Sequence, residues 1–161
     1  MSAFLIRDAI WPQDRAAAES FIHGSQLFEK AIEPNRRLDS QIAPEFFDVL
    51  MDEVAKNGGI VRVAESDGRA VGWVVAYPQI DNLYILESER RYFSISELFV
   101  DESVRGQGIG RALIAVCETH AKAEGFKILK IGVLAANHRA ERIYEEAGYR
   151  PYGMTLRKYI D

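Results

Sequence analysis

The chain has a single cysteine, Cys117, in 161 residues. One cysteine excludes an intrachain disulfide and any zinc site built on several thiolates. The three histidines, His23, His120 and His138, show no metal-ligand spacing, so no metal is expected. No stretch approaches the ~20 consecutive apolar residues of a membrane-spanning helix, and no membrane partner is expected. The opening MSAFLIRDAI lacks a basic region followed by an apolar one. A secretory signal is therefore not expected, and the chain reads as cytoplasmic. Basic charge is also scarce: 20 Lys and Arg stand against 24 Asp and Glu, a net charge of -4. Phosphate backbones need a basic face, so this balance argues against nucleic acid as the main partner and mildly favours a cationic small molecule.

What is present suits a soluble globular protein, with 48% hydrophobic and 27% charged residues. No repeat, low-complexity tract or linker interrupts the chain, so residues 1–161 read as one domain with a real core. FLIRDA (4–9) reads as a strand and residues 11–32 as a helix, with Ala17, Phe21, Ile22, Leu27 and Phe28 near helical spacing. The polar segment 33–44 reads as loop, and a second helix runs from about Glu45 to Asn57-Gly58-Gly59. Residues 60–78 form a hairpin about Ser66-Asp67-Gly68-Arg69, since Asp-Gly suits the tight turns of antiparallel strands. Residues 80–91 fit either a long loop or a ragged strand extension. A strand over 92–100 precedes a helix over 108–124 that ends at Gly125. KILKIGVL (127–134) reads as a strand buried on much of both faces. Asn137 caps a short helix that Gly148 ends, and YRPYGMTLRKYI (149–160) reads as a final strand. Antiparallel strands followed by a βαβ unit imply an α/β (α+β) mixed sheet with helices on both faces.

The segment VDESVRGQGIGRALI (100–114) places three glycines at alternate positions between a strand and a helix. A helix N-terminus carries unpaired N–H groups and partial positive charge, so it suits an anion. Glycine lets the backbone approach a ligand closely, and Arg105 adds a fixed charge; pyrophosphate is the natural guest. A Walker A loop needs Gly-Lys-Ser/Thr, but Gly110 is followed by Arg111 and Ala112. A dinucleotide fingerprint needs Gly-x-Gly-x-x-Gly and a later acid, but the spacing here is Gly-x-Gly-x-Gly and 127–134 offers no acid. A plain glycine-rich turn between strand and helix is the remaining alternative.

RGQGIG (105–110) matches the Arg/Gln-x-x-Gly-x-Gly/Ala loop of the GNAT N-acetyltransferase superfamily, and ISELFVDESV (95–104) resembles the strand and turn that precede it there. VLAANHRAERIYEEAGY (133–149) resembles that family's later motif through Asn137, Ala140, Tyr144, Gly148 and Tyr149. The likeness is tight over about 92–150; over 1–91 only the order of elements agrees. It implies an acyl-CoA N-acyltransferase fold with a central sheet of about six or seven strands. Residues 92–150 would form the acetyl-CoA-binding core and 1–91 the variable acceptor side. Acetyl-CoA would be the co-substrate, and a primary amine of a small molecule or peptide the acceptor. The strands carrying 97–100 and 131–134 would splay apart around the pantetheine arm, which pairs with the backbone of Leu98 and Val100, with Phe99 between them. The pyrophosphate would sit on the amides of Arg105, Gly106, Gln107, Gly108, Ile109, Gly110 and Arg111. Asn137 and Ala140 would also contact the coenzyme. A homodimer is a possible assembly.

Amine acetylation needs a neutral amine, a polarised thioester and a proton for the departing thiolate. Tyr144 is the candidate acid: a tyrosine of ordinary pKa ~10 keeps its proton at neutral pH. It lies two helical turns after Asn137, and the family places this tyrosine beside the coenzyme sulfur. The alternative is a packing tyrosine beside Ile143. Glu97 is the candidate base, through water. Its strand parity matches Phe93, Ile95 and Phe99, an apolar set that would desolvate a carboxylate and raise its pKa. A β-bulge in this strand would change that facing, and an arginine-paired carboxylate is the alternative. Cys117, His120 and His138 read as structural or exposed. The acceptor would be chosen by residues 24–44 and 78–91, whose charges permit a polyamine, an amino sugar, an amino acid or a peptide terminus. A non-catalytic acyl-CoA-binding sensor is the other class of function compatible with these residues.

Overall fold

Two apolar stripes and one sheet buried on both faces organise the chain. The structure, a computed structural model, describes residues 4–160. In chain order the elements are β1 (Phe4–Asp8), α1 (Arg15–Lys30), α2 (Ile42–Asn57), β2 (Ile60–Ser66), β3 (Arg69–Ile80), α3 (Glu87–Arg90), β4 (Arg91–Val100), α4 (Ile109–Ala123), β5 (Leu129–Ile131) and α5 (His138–Glu146). A 3-10 turn, Glu102–Val104, lies between β4 and α4. The sheet runs β1-β2-β3-β4-β5, antiparallel except for the parallel pair β4 and β5.

The middle strand β3 shows why two layers of helix are needed. Trp73, Val75 and Tyr77 pack with Phe21, Ile22, Phe47 and Leu50 of α1 and α2. Val74 and Ala76, on the opposite face, pack with Leu113, Ile114 and Cys117 of α4. Trp73, Val74, Val75 and Leu113 are fully buried, and each such aliphatic side chain stabilises the fold by about 1.5–3 kcal/mol relative to exposure. Gly24 lets α1 lie close on β4, because a Cβ there would sit 2.7 Å from Phe99 Cζ.

Local signals set the helix ends. α4 stops where Gly125 adopts φ +80. There Phe126 N–H donates to Ala121 O at 2.8 Å and Gly125 N–H to Lys122 O at 3.1 Å, a pairing that satisfies two terminal carbonyls. α1 starts at Arg15, later than the apolar spacing suggested. Asp14, just before it, is buried, accepts from Ile10 N–H at 2.8 Å, and is gripped by both terminal nitrogens of Arg7. The Arg7 guanidinium holds the Asp14 carboxyl below its usual range. α2 starts three residues before Glu45, so Pro44 lies in its first turn, where a missing N–H breaks no helical bond.

Three expectations need correction. Residues 80–91 combine both readings with a third form: β3 extends to Ile80, 81–86 are loop and turn, and α3 adds a single unexpected helical turn before β4. The strand expected over 127–134 is confined to Leu129–Ile131 and is only partly buried. The final strand expected over 149–160 is absent among the described residues, and the sheet has five strands rather than six or seven. The tail has the alternation of a strand, but β5 pairs with β4 along only three residues and offers the tail no ladder. Tyr152, Leu156 and Ile160 are 72%, 87% and 89% exposed.

Candidate active site

β4 and β5 pair only at Phe93–Leu129, Ser94–Lys130 and Ile95–Ile131. Beyond that point residues 96–100 and 132–134 part, and a cavity of about 460 Å³ opens between them. The cause lies in β4. Val75 is opposite Glu97 and Ala76 is opposite Ile95, so Ser96 is an extra residue in the strand. A bulge bends and twists the strand that carries it, and it does so here where β4 leaves β5.

The same bulge resets the facing of Glu97. Ile95 shares the α4 face with Ala76, whereas Glu97 lies on the α1 face with Val75. The expected parity with Phe93 and Ile95 is therefore broken, and that with Phe99 is kept. Glu97 remains open to the cavity, yet the protein around it strips most of its hydration. Desolvation, with a smaller contribution from Glu29, pushes its carboxyl up to about 7. The Glu97 carboxylate forms no hydrogen bond or ion pair among the described residues, and no arginine contributes to its shift.

Tyr144 reaches the cavity from α5. Asn137 Oδ1 accepts from Ala140 N–H at 3.2 Å and starts that helix. Gly148, at φ +95, ends it, and Tyr149 N–H donates back to Tyr144 O at 2.9 Å. Asn137, Ala140 and Tyr144 all line the cavity, as two helical turns on one face require. The Tyr144 ring lies 6.1 Å from that of Tyr149. Burial, then the charges of Glu97 and Glu29, push the Tyr144 phenol up to about 12.

The glycine loop forms another wall. Gly106 and Gly108 have φ +82 and +85, and a Cβ on either would meet nothing within 4 Å. The left-handed backbone favours glycine, and the space before it is open. Gly108 is the N-cap of α4 with no side-chain capping bond, so the first-turn amides of Ile109, Gly110 and Arg111 are available to an anion. Leu98, Phe99 and Val100 line the cavity from β4. The loop residues differ in what they can offer. Ile109 buries its side chain in the core and can offer only backbone, and Gln107 is exposed and does not line the cavity. Arg111 is paired with Glu146 at 3.3 Å. Arg105 is less free than expected: its Nε donates to Val100 O at 3.0 Å and its amide to Glu102 O at 3.3 Å. Its guanidinium lies 5.9 Å from the Phe28 ring and 5.8 Å from the Phe99 ring.

Sequence reasoning did not single out Ser25 and Phe28 as site residues, and it left Glu29 among the charges of a variable segment. All three line the cavity from α1. Ala18, Phe21 and Ile22 make the buried stripe of this helix, and Ser25, Phe28 and Glu29 continue it at helical spacing. Polar residues on a core-facing stripe were the available signal. Elsewhere, Cys117 is fully buried and its thiol is pushed up to about 12 by desolvation. His120 lies against Phe93 with ring centroids 5.4 Å apart, and His138 is exposed beside Glu141. Among the described residues no group of three or more His, Cys, Asp or Glu could hold a metal ion, and no helix is long and apolar enough to cross a membrane.

A mixed sheet parted between two parallel strands, with a glycine loop at a helix start beside the gap, defines an acyl-coenzyme A transferase type of fold. Residues 24–149 match the model of the acetyltransferase (GNAT) family, and the chain belongs to that family. It is 28% identical over 100 residues to the uncharacterized N-acetyltransferase YhfO of Bacillus subtilis, covering 62% of this chain and 64% of that protein. It is 28% identical over 121 residues to human N-acetyltransferase 8, covering 74% of this chain and 51% of that protein. The chain thus spans less than two thirds of the length of either relative. A crystal structure described as a "predicted acetyltransferase with acetyl-CoA" from Clostridium acetobutylicum aligns with a TM-score of 0.72 at 18% identity, over 98% of this chain and 96% of that one. This likeness shows the fold.

Proposed function

We propose that the chain is an N-acetyltransferase that moves the acetyl group of acetyl-CoA to a primary amine of a small molecule or peptide, by direct attack in a ternary complex. The observation that carries this reading is that Glu97 and Tyr144 open onto one cavity together with the glycine loop. The loop amides suit the pyrophosphate, since an uncapped helix start and open glycines fit an anion that approaches the backbone closely. The unpaired part of β4 then receives the pantetheine arm, and the backbone of Leu98 and Val100 is left to polarise the thioester carbonyl.

Glu97 takes a proton from the incoming ammonium through water, and a carboxyl held up to about 7 is matched to that task near neutral pH. The neutral nitrogen attacks the carbonyl carbon, the C–N bond forms, and the C–S bond breaks. The nitrogen then passes its second proton through water to the departing sulfur, and Glu97 returns the first to solvent once product leaves. Tyr144 serves the sulfur as hydrogen-bond donor. Its phenol, pushed up to about 12, is a weaker acid than an ordinary thiol of pKa ~8.5, so complete transfer from it is uphill. The Glu97 charge is one cause of that elevation. Once Glu97 holds the amine's proton, that charge is gone and Tyr144 becomes a stronger acid when the thiolate forms.

A screen of acetyl-CoA against a pooled amine library, read by thiol release and by the mass of the acetylated product, tests this proposal. Turnover with an N-acetyl product supports it. Coenzyme binding without thiol release on any amine would instead support a non-catalytic acyl-CoA sensor.

A further inference from the structure

Tyr77 puts a hydroxyl into an apolar layer. Its side chain is buried with Phe21, Ile22, Phe47 and Leu50 of α1 and α2. Gly59 closes on its base, where an added Cβ would lie 2.6 Å from Tyr77 Cβ. A hydroxyl in such a setting costs free energy unless it finds a partner. Among the described residues the partner is the Ser96 hydroxyl, with the two oxygens 3.3 Å apart.

That bond crosses the β4 bulge. Tyr77 is opposite Ser94 and Val75 is opposite Glu97, so Ser96 has no partner of its own on β3. A tyrosine is long enough to reach a diagonal neighbour two residues along the facing strand. Ser96 thus turns its hydroxyl to the α1 side, the side on which its neighbour Glu97 lies, and both residues line the cavity. In a regular strand, consecutive side chains point to opposite faces. Keeping Ser96 and Glu97 on one side requires the bulge to be held. We propose that Tyr77 is a positioning residue: through Ser96 it pins the β4 bulge, and so fixes the Glu97 carboxylate in its enclosed place at the cavity. The charged and titratable groups that share this cavity are Glu29 on α1, Arg105 before α4, Arg111 on α4, and Arg139 and Tyr144 on α5. Among the described residues none of their side chains bonds to Ser96 or Glu97, so none duplicates Tyr77. The proposal deepens the acetyl-transfer reading, since the group it places is the base of that reading, but the placement is measurable without turnover.

The test follows the Glu97 carboxyl of the full chain by carbon-13 NMR as pH is varied. The wild-type midpoint should lie near 7, where burial holds it. Tyr77→Phe keeps the ring and releases the bulge, so water reaches the carboxylate and the midpoint should fall by about one unit or more. Ser96→Ala removes the other partner and should give the same fall. The double variant should fall no further, because both changes remove one interaction. Ser96→Thr retains a hydroxyl and should retain the midpoint. A role in packing alone would lower the melting temperature of these variants and leave the midpoint in place. An unchanged midpoint in both single variants overturns the proposal, and so does a double variant whose fall is the sum of the two. A wild-type midpoint near 4.5, the value before burial, overturns it as well, since there is then no enclosure to hold. If Tyr77→Phe does not fold, by circular dichroism, Ser96→Ala and Ser96→Thr decide. The pH profile of acetyl transfer separates the two claims. A midpoint that falls in the variants, with no thiol release by wild type on any amine, keeps the positioning role and removes the transfer reading. Transfer with the same acidic limb and the same Glu97 midpoint in wild type, Tyr77→Phe and Ser96→Ala keeps transfer and removes the positioning role.

Discussion

Glu97 is where stability and chemistry oppose one another. Its carboxyl is raised from 4.5 to about 7 by burial, so across that window the folded protein holds a proton that the unfolded chain has released. Its stabilising contribution is complete below about 4.5 and is lost as pH rises through about 7. Above that range the ionised carboxylate weakens the fold by at most about 3 kcal/mol. Glu97→Gln should therefore melt higher than wild type at pH ~8 and lose much of the pH dependence of Tm. A variant that melts lower at that pH would place Glu97 in a stabilising contact. Tyr144→Phe keeps the ring and removes the donor. Its kcat should fall by about tenfold to hundredfold with little change in coenzyme affinity, because that bond strengthens as the thiolate forms. A binding defect that accounts for the whole loss would make Tyr144 a packing residue. Tyr144 stood out in the sequence through its place in a motif, and Glu97 as a carboxylate on an otherwise apolar strand face. The facing of Glu97 could not be read there, since one extra residue at Ser96 reverses strand parity and leaves no mark in composition.

At the scale of elements, the loop before α4 and the pairing of β4 with β5 carry the design. The positive-φ glycines at 106 and 108 were visible as a spacing, and so was the helix they open. Gly108→Val would put a branched side chain on a left-handed backbone and into the open space before the loop. It should abolish the rise in melting temperature that acetyl-CoA gives the wild type. A folded variant that is stabilised as well as wild type would show that the pyrophosphate lies elsewhere. Leu113→Ala, on the buried face of the same helix, should cost about 2–5 kcal/mol in denaturant unfolding. A loss below ~1 kcal/mol would mean that the α4 layer is loosely packed. Elements whose form depends on distant partners were less legible. β5 is short because β4 turns away from it, and 149–160 alternates like a strand without a ladder to join. Glu29 stayed hidden for a related reason: its helix was readable, but the approach of that helix to β4 at Gly24 is a tertiary fact.

At the scale of the molecule, the net charge of -4 and the unpaired Glu97 carboxylate at the cavity are the grounds on which we propose a cationic acceptor. Its KM should rise with ionic strength, because salt screens attraction beyond the ~8 Å Debye length of physiological solution. A best acceptor that is neutral or anionic, or a KM indifferent to salt, would count against this. The most direct test of acetyl transfer through Glu97 is the pH profile of kcat/KM with acetyl-CoA and the best amine, for wild type and Glu97→Gln. The wild-type profile should rise through an apparent pKa near 7, the value to which burial pushes the Glu97 carboxyl, and the variant should lack that limb. The variant should recover as pH approaches the amine's own pKa of ~10, where solution supplies the neutral nucleophile. An acidic limb identical in the two proteins, or no acetyl transfer by the wild type at any pH, would contradict the account.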